Sequence, residues 1–371
     1  SSSFDDTQSE QRTIQSCASS AAGSVIDVSS ELEHSHFGGP QVTYTAGTKT
    51  LPLVNQAEVA LLSRRIRFKG TETDKKAAHM LFMSAPGNIR IGGVEFSTVG
   101  RMGELGRYPA HFHRVKDHIG RDAWIKNSSI HGSFSRCVTL HETNNVQIVN
   151  NICYDHYGHG FFLEEGNETG NVFERNLGFR TKETDEGRQL LETDRTSLNP
   201  HNSAGASTFW ISNPDNVYKN NVAAGSAGSG FWFGLKDAAH IPDMMTVPPV
   251  NTAMRQFEGN LAHSCSQGVT VDQGPNGDCP TTANPRNPCS GGSFDKDTAD
   301  FPTKQTVYMP STSATIKKLT AYKCRDFGIW FSARGRNVIT DSIFADNQLH
   351  VGLVFDSVLR DSVIVAKTDN F

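Results

Sequence analysis

Long hydrophobic runs are missing from this 371-residue chain. No apolar stretch approaches the roughly 18 residues a membrane-spanning helix needs, so no span is expected. A secretory leader is also missing from the polar start, SSSFDDTQSEQR, which suggests that a leader has been removed or that another domain precedes it. A large excess of one charge sign is also missing: 35 Lys and Arg face 39 Asp and Glu, and the formal net charge is −4. Nothing in that balance marks a nucleic-acid partner, and none is expected. The seven cysteines form no paired Cys-x-x-Cys metal pattern. Cys279 and Cys289 bracket a loop, CPTTANPRNPC, that has little to pack and reads as closed by a disulfide. That reading points to an oxidising, extracellular or cell-surface setting. Cys137, Cys153 and Cys324 sit in strand-like patterns and read as small buried residues. The triplets Asn127-Ser-Ser and Asn167-Glu-Thr are glycosylation acceptors in form and agree with secretion.

What is present is glycine, 33 residues of it, with many Asn and Ser, a composition for strands and tight turns. The chain also repeats itself. The segment from Asn127 to His141 (NSSIHGSFSRCVTLH) overlays that from Asn150 to Glu164 (NNICYDHYGHGFFLE) at a shift of 150 − 127 = 23. A later stretch, NNVAAGSAGSGFWF from Asn220, overlays the Asn150 segment at a shift of 70, read as about three coils. Repeats of this period are the mark of a solenoid, with matched residues stacked about 4.8 Å apart on neighbouring strands. The expected fold is therefore all-β: a right-handed parallel β-helix with long loop insertions near 181–202, 235–252 and 273–301. Residues 1–55 are expected to form a β-rich cap or linker over its open end, and 56–371 the β-helix catalytic domain.

Alternation along the strands assigns the faces. Ala110/Phe112, Val138/Leu140 and Phe161/Leu163 form an interior column. His111/His113, Thr139/His141 and Phe162/Glu164 form the opposite column, which faces outward. The stretch 108–165 holds seven of the fourteen histidines. Matched turns with Asn150-Asn151 and Asn220-Asn221 suggest stacked amide ladders.

Two chemistries suit the outward column. His111, His113, His141 and Glu164 make a plausible site for a divalent transition metal such as zinc. Alternatively, Glu164 and Asp117, with Asp155 near the turn, supply carboxyl groups for glycoside cleavage. His141 or His159 would carry a proton, and Arg136 would hold a uronate carboxylate. Glu165 is expected to point away from the column. Six Arg and Lys residues lie between 107 and 136 against two acids, including Arg114, Lys116 and Arg136, a local excess that suits an anionic substrate. Trp232 is the tryptophan placed on the outward column, where it would stack on sugar.

The motifs YPAHFHRVKD, SIHGSFSRCVTLHETNN, GHGFFLEEG, ASTFWISNPDN and AAGSAGSGFWF resemble the family of hyaluronan-degrading transmembrane protein 2 and cell-migration-inducing hyaluronan-binding protein. Fibrocystin-L shares its plan. EVALLSRRIRFKG resembles the segment joining the family's G8 domain to its β-helix, although no complete G8 domain is evident before residue 55, and His201 departs from the family pattern. The resemblance covers roughly residues 55–360. It implies a β-helix acting outside the cell in calcium-dependent endo-hydrolysis of hyaluronan or a similar glycosaminoglycan. The matched positions are His111, His113, Asp117, Arg136, His141, His159 and Glu164. A uronate-polysaccharide lyase and a non-catalytic glycan-binding matrix protein are the alternatives.

Overall fold

A computed structural model describes residues 3–21, 23–71, 74–83, 87–117, 122–184, 205–235, 247–273 and 308–368. Cys279, Cys289 and most of the three long insertions lie outside the described residues. The chain winds as a right-handed parallel β-helix with three long sheets of nine, ten and nine strands. One coil runs through Ala123–Lys126, Ser129–His131 and Val138–Asn144, and the next through Gln147–Val149, Ile152–Tyr157 and Phe161–Leu163. The register is the one the repeat gives: Val138 pairs with Phe161 and Leu140 with Leu163 on one side, and Val138 with Ala110 and His141 with His113 on the other.

Because neighbouring strands are parallel and in register, like side chains stack. Ala110, Phe112, Val138, Leu140, Phe161 and Leu163 are buried in one apolar core that runs along the helix. The Phe161 ring stacks on Phe209 at 4.8 Å, and Phe209 on Phe231 at 4.6 Å. Each such offset contact adds to the area the rings already bury.

The turn between the first two sheets requires one residue in the left-handed region at every coil. Asn127, Asn150, Arg175 and Asn220 have φ near +55°, and Gly259 has +69°. Asn and Gly tolerate this conformation best, which explains their recurrence in the repeat. The next residue forms the amide ladder. Asn151 Nδ2 donates to Asn176 Oδ1 at 3.1 Å, Asn176 to Asn221 at 3.0 Å, and Asn221 to Asn260 at 3.1 Å. Asn150 and Asn220 are two coils apart, at steps of 175 − 150 = 25 and 220 − 175 = 45 residues. The expected three coils is thus corrected, because the second step also carries the segment 185–204.

Two further expectations change. Cys137 and Cys153 are buried as expected, but they are joined in a disulfide. Cys153 lies in the strand Ile152–Tyr157, but Cys137 sits at the corner just before Val138–Asn144, where alternation does not apply, so no pattern within one strand shows that the two meet across the interior. Of the segment expected as a β-rich cap or linker, the hairpin part runs as a strap along the flank. This hairpin, Val42–Ala46 and Lys49–Leu53, packs Leu53 against Leu261, Tyr322, Ile343, Ala345 and Val363 of late coils. Lys49 pairs with Asp341, and Glu58 reaches His263 at 3.0 Å. The chain then runs back until Arg64 Nε donates to the Asn127 carbonyl at 2.9 Å, next to the first coil strand, Ile66–Lys69.

Candidate functional site

The outward face of the third sheet is not uniform. Reading one position along it gives His111, Thr139, Phe162, Trp210, Trp232, Thr270 and Trp330 in successive coils. This row opens on a histidine and is mostly aromatic from Phe162 onward, while the next outward position of the early coils pairs His113 with His141. The loop before Ala110–Asp117 folds over this face. Tyr108 is fully buried with its ring 4.9 Å from that of His111, and the Gly106 carbonyl accepts a hydrogen bond from His111 Nδ1 at 3.0 Å.

Here the structure brings His111, His113, His141 and Glu164 together. His113 Nδ1 and His141 Nδ1 are 3.0 Å apart. Glu164 Oε2 lies 3.6 Å from His111 Nε2 and 3.6 Å from His141 Nδ1. One ligand atom from each of the three histidines falls within 4.8 Å of the other two. His111 Nε2 and Glu164 Oε2 are both buried with no hydrogen-bond partner among the described residues. Burial pushes the His111 pKa down to about 3, so the ring is neutral. Burial raises the Glu164 carboxyl to about 7, opposed by the charge of Arg136. His113 is half-buried and gives the cluster its open side.

His141 is flanked on its other edge as well. Glu165 Oε1 is 3.5 Å and Glu142 Oε1 3.7 Å from His141 Nε2. The expectation that Glu165 points away is therefore corrected: the strand ends at Leu163, so alternation no longer governs residue 165. Below the rim, fully buried Glu168 accepts backbone N–H bonds from Glu142 at 2.9 Å, Glu165 at 3.1 Å and Gly166 at 2.7 Å. It thereby fixes the two acids beside His141. Sequence reasoning missed Glu142, Glu168 and Tyr108, and an acid in a turn of small polar residues was the only sign of Glu168.

The other expected residues are placed differently. Arg136 is fully buried, its guanidinium 3.7 Å above the Phe162 ring and 5.3 Å from Tyr108. It packs beneath the site, away from any uronate at the surface. His159 is buried too, with its Nδ1 accepting from the Ser207 N–H at 2.9 Å and its ring 4.6 Å from Trp210. Trp232 keeps its expected register but is only 1% exposed, packed with Phe162 and Trp210. Asp117 lies exposed at the far end of its strand and accepts from Asn145, away from the histidines. Asp155 pairs with Arg180 at 3.0 Å and Lys182 at 2.9 Å on another sheet. Arg114 and Lys116 are exposed on the rim and both reach Glu142, Arg114 at 2.8 Å.

The resemblance carries an expectation of calcium. Calcium takes six to eight oxygen ligands. This cluster offers three imidazole nitrogens and one inward carboxylate oxygen, a donor set that does not suit it.

The chain matches the CEMIP beta-helix family over residues 75–269. It is 32% identical to the human protein named cell surface hyaluronidase CEMIP2, over 81% of this chain and 24% of that one. Identity is also 32% to the human cell migration-inducing and hyaluronan-binding protein, over 80% of this chain and 24% of that one. Mouse fibrocystin-L is 28% identical over 69% of this chain and 7% of its own. The chain thus spans about a quarter of the length of the first relatives it matches.

Proposed function

The chain belongs to the CEMIP beta-helix family, and from that premise we propose that it degrades hyaluronan or a similar anionic glycosaminoglycan by endo-hydrolysis outside the cell. The observation that carries this reading is His141 held between carboxyl groups, Glu164 on its Nδ1 side and Glu165 on its Nε2 side, on one outward stretch of the β-helix. Cleaving a glycosidic bond requires a proton delivered to the leaving oxygen and a base or nucleophile at the sugar carbon. Glu165, about one-third exposed, faces the substrate side. His141 passes or holds the proton, while Glu164 orients His141 from behind. Arg114 and Lys116, more than half exposed at the rim, are the cations that meet the uronate carboxylates. The buried Cys137–Cys153 disulfide agrees with an extracellular or cell-surface location, as do the relatives named cell surface hyaluronidases.

The test is digestion of hyaluronan and chondroitin by the purified chain, followed by product size and reducing ends. Glu165→Gln is expected to lower kcat by about 10²–10⁴-fold while polysaccharide binding persists. Products that carry the ultraviolet absorbance of an unsaturated uronate would replace hydrolysis with elimination. Intact polymer that is nonetheless bound would replace the enzyme with a glycan-binding protein.

A further inference from the structure

Two acceptors face each other inside the cluster. The Gly106 carbonyl can only accept, so His111 Nδ1 carries that ring's proton and Nε2 presents a lone pair. That lone pair lies 3.6 Å from Glu164 Oε2, too far for a hydrogen bond, and neither atom has a hydrogen-bond partner among the described residues. His113 and His141 bring two more nitrogens, both Nδ1, to 3.0 Å of each other. Among the described residues His111 Nε2 and Glu164 Oε2 are left as buried acceptors without a hydrogen bond, beside the His113–His141 nitrogen pair, an arrangement that costs stability unless a cation fills it.

We propose that His111 Nε2, His113 Nδ1, His141 Nδ1 and Glu164 Oε2 bind one first-row transition dication of the zinc class. Tetrahedral zinc with ligand bonds of about 2.0–2.1 Å sets its ligand atoms about 3.3 Å apart. The three separations known here, 3.0, 3.6 and 3.6 Å, bracket that spacing. The outer partners are also those of a metal site. Ligating histidines give their other ring nitrogen to a carbonyl or carboxylate. His111 does so to Gly106 O, and His141 Nε2 faces Glu165 and Glu142. The half-buried His113 leaves an entry path. This inference shares its residues with the proposed function but rests on donor geometry alone.

The experiment uses the untagged chain, stripped with a transition-metal chelator, dialysed and titrated with zinc. Elemental analysis after gel filtration is expected to return one zinc per chain, and cobalt(II) is expected to give the intense visible bands of a four-coordinate site. Calcium in excess should not displace either ion. His113→Gln and Glu164→Gln should each weaken zinc by about 100-fold or more, whereas His79→Gln, outside the cluster, should leave it unchanged. Circular dichroism of the chelated proteins checks that the variants fold. If a variant does not fold, the wild-type cobalt spectrum decides. No zinc retained at micromolar concentration, a six-coordinate cobalt spectrum, or equal retention by folded His113→Gln and Glu164→Gln would overturn the site. Zinc bound without any glycan cleavage would support this inference while sinking the proposed function. Cleavage by a chain that never binds zinc would do the reverse.

Discussion

At the scale of single residues, Arg136 shows how a charged side chain can serve a site it cannot touch from outside. Its guanidinium is fully buried over Phe162, and its charge opposes the rise that burial imposes on Glu164. Removing one partner of a buried charge cluster typically costs about 3–5 kcal/mol, because the remaining charge stays desolvated. Arg136→Met, which keeps much of the packing, should therefore destabilise the fold by about 3 kcal/mol in a urea titration. An Arg136 that held substrate at the surface would instead raise KM and leave stability alone. Alternation assigns a residue to a face, and this is why His111, His113, His141 and Glu164 were legible in the sequence. It does not say what covers that face. Trp232 and His159 were expected at the surface for that reason, yet aromatic neighbours enclose both.

At the scale of elements, the turn between the first two sheets joins sequence to stability. Asn150 holds φ at +56°, and its neighbour Asn151 enters the buried amide ladder. A β-branched residue in the left-handed region costs about 1–2 kcal/mol, whereas glycine costs little. Asn150→Val should thus lower the denaturation midpoint, and Asn150→Gly should leave it nearly unchanged. The ladder position is more demanding. Asn176 Oδ1 accepts the Asn151 backbone N–H at 3.0 Å, and Asn176 Nδ2 donates to the Ile148 carbonyl at 2.8 Å. Asn176→Ala strands both groups in the interior, at about 1–3 kcal/mol each. Urea denaturation should show a larger loss for Asn176→Ala than for Asn150→Val. The Asn pairs made this ladder readable in advance at residues 151 and 221. Asn176 and Asn260 escaped notice because an Arg and a Gly precede them instead of a second Asn.

At the scale of the whole molecule, a solenoid is held by contacts between neighbouring coils, so its stability is close to a sum of local terms. The strap breaks that rule. Residues 42–64 join late coils to early ones, through Leu53 at one end and Arg64, bonded to Asn127, at the other. Sequence showed strand-like pieces there but no repeat, and without a repeat nothing fixes where a segment docks. The hairpin makes a flank contact, in a segment expected as a cap or linker. Leu53 is 1% exposed, and Leu53→Ala should cost about 2–5 kcal/mol. In a nearest-neighbour solenoid that loss stays local. Hydrogen exchange should accelerate in Thr320–Tyr322 and Ile343–Ala345, the strands whose Tyr322, Ile343 and Ala345 Leu53 covers, and stay slow in Ala110–Asp117. Zinc binding by the histidine cluster should then persist in Leu53→Ala. If instead exchange rises equally in all three sheets, the strap couples the entire β-helix, and the ends of the molecule unfold as one unit.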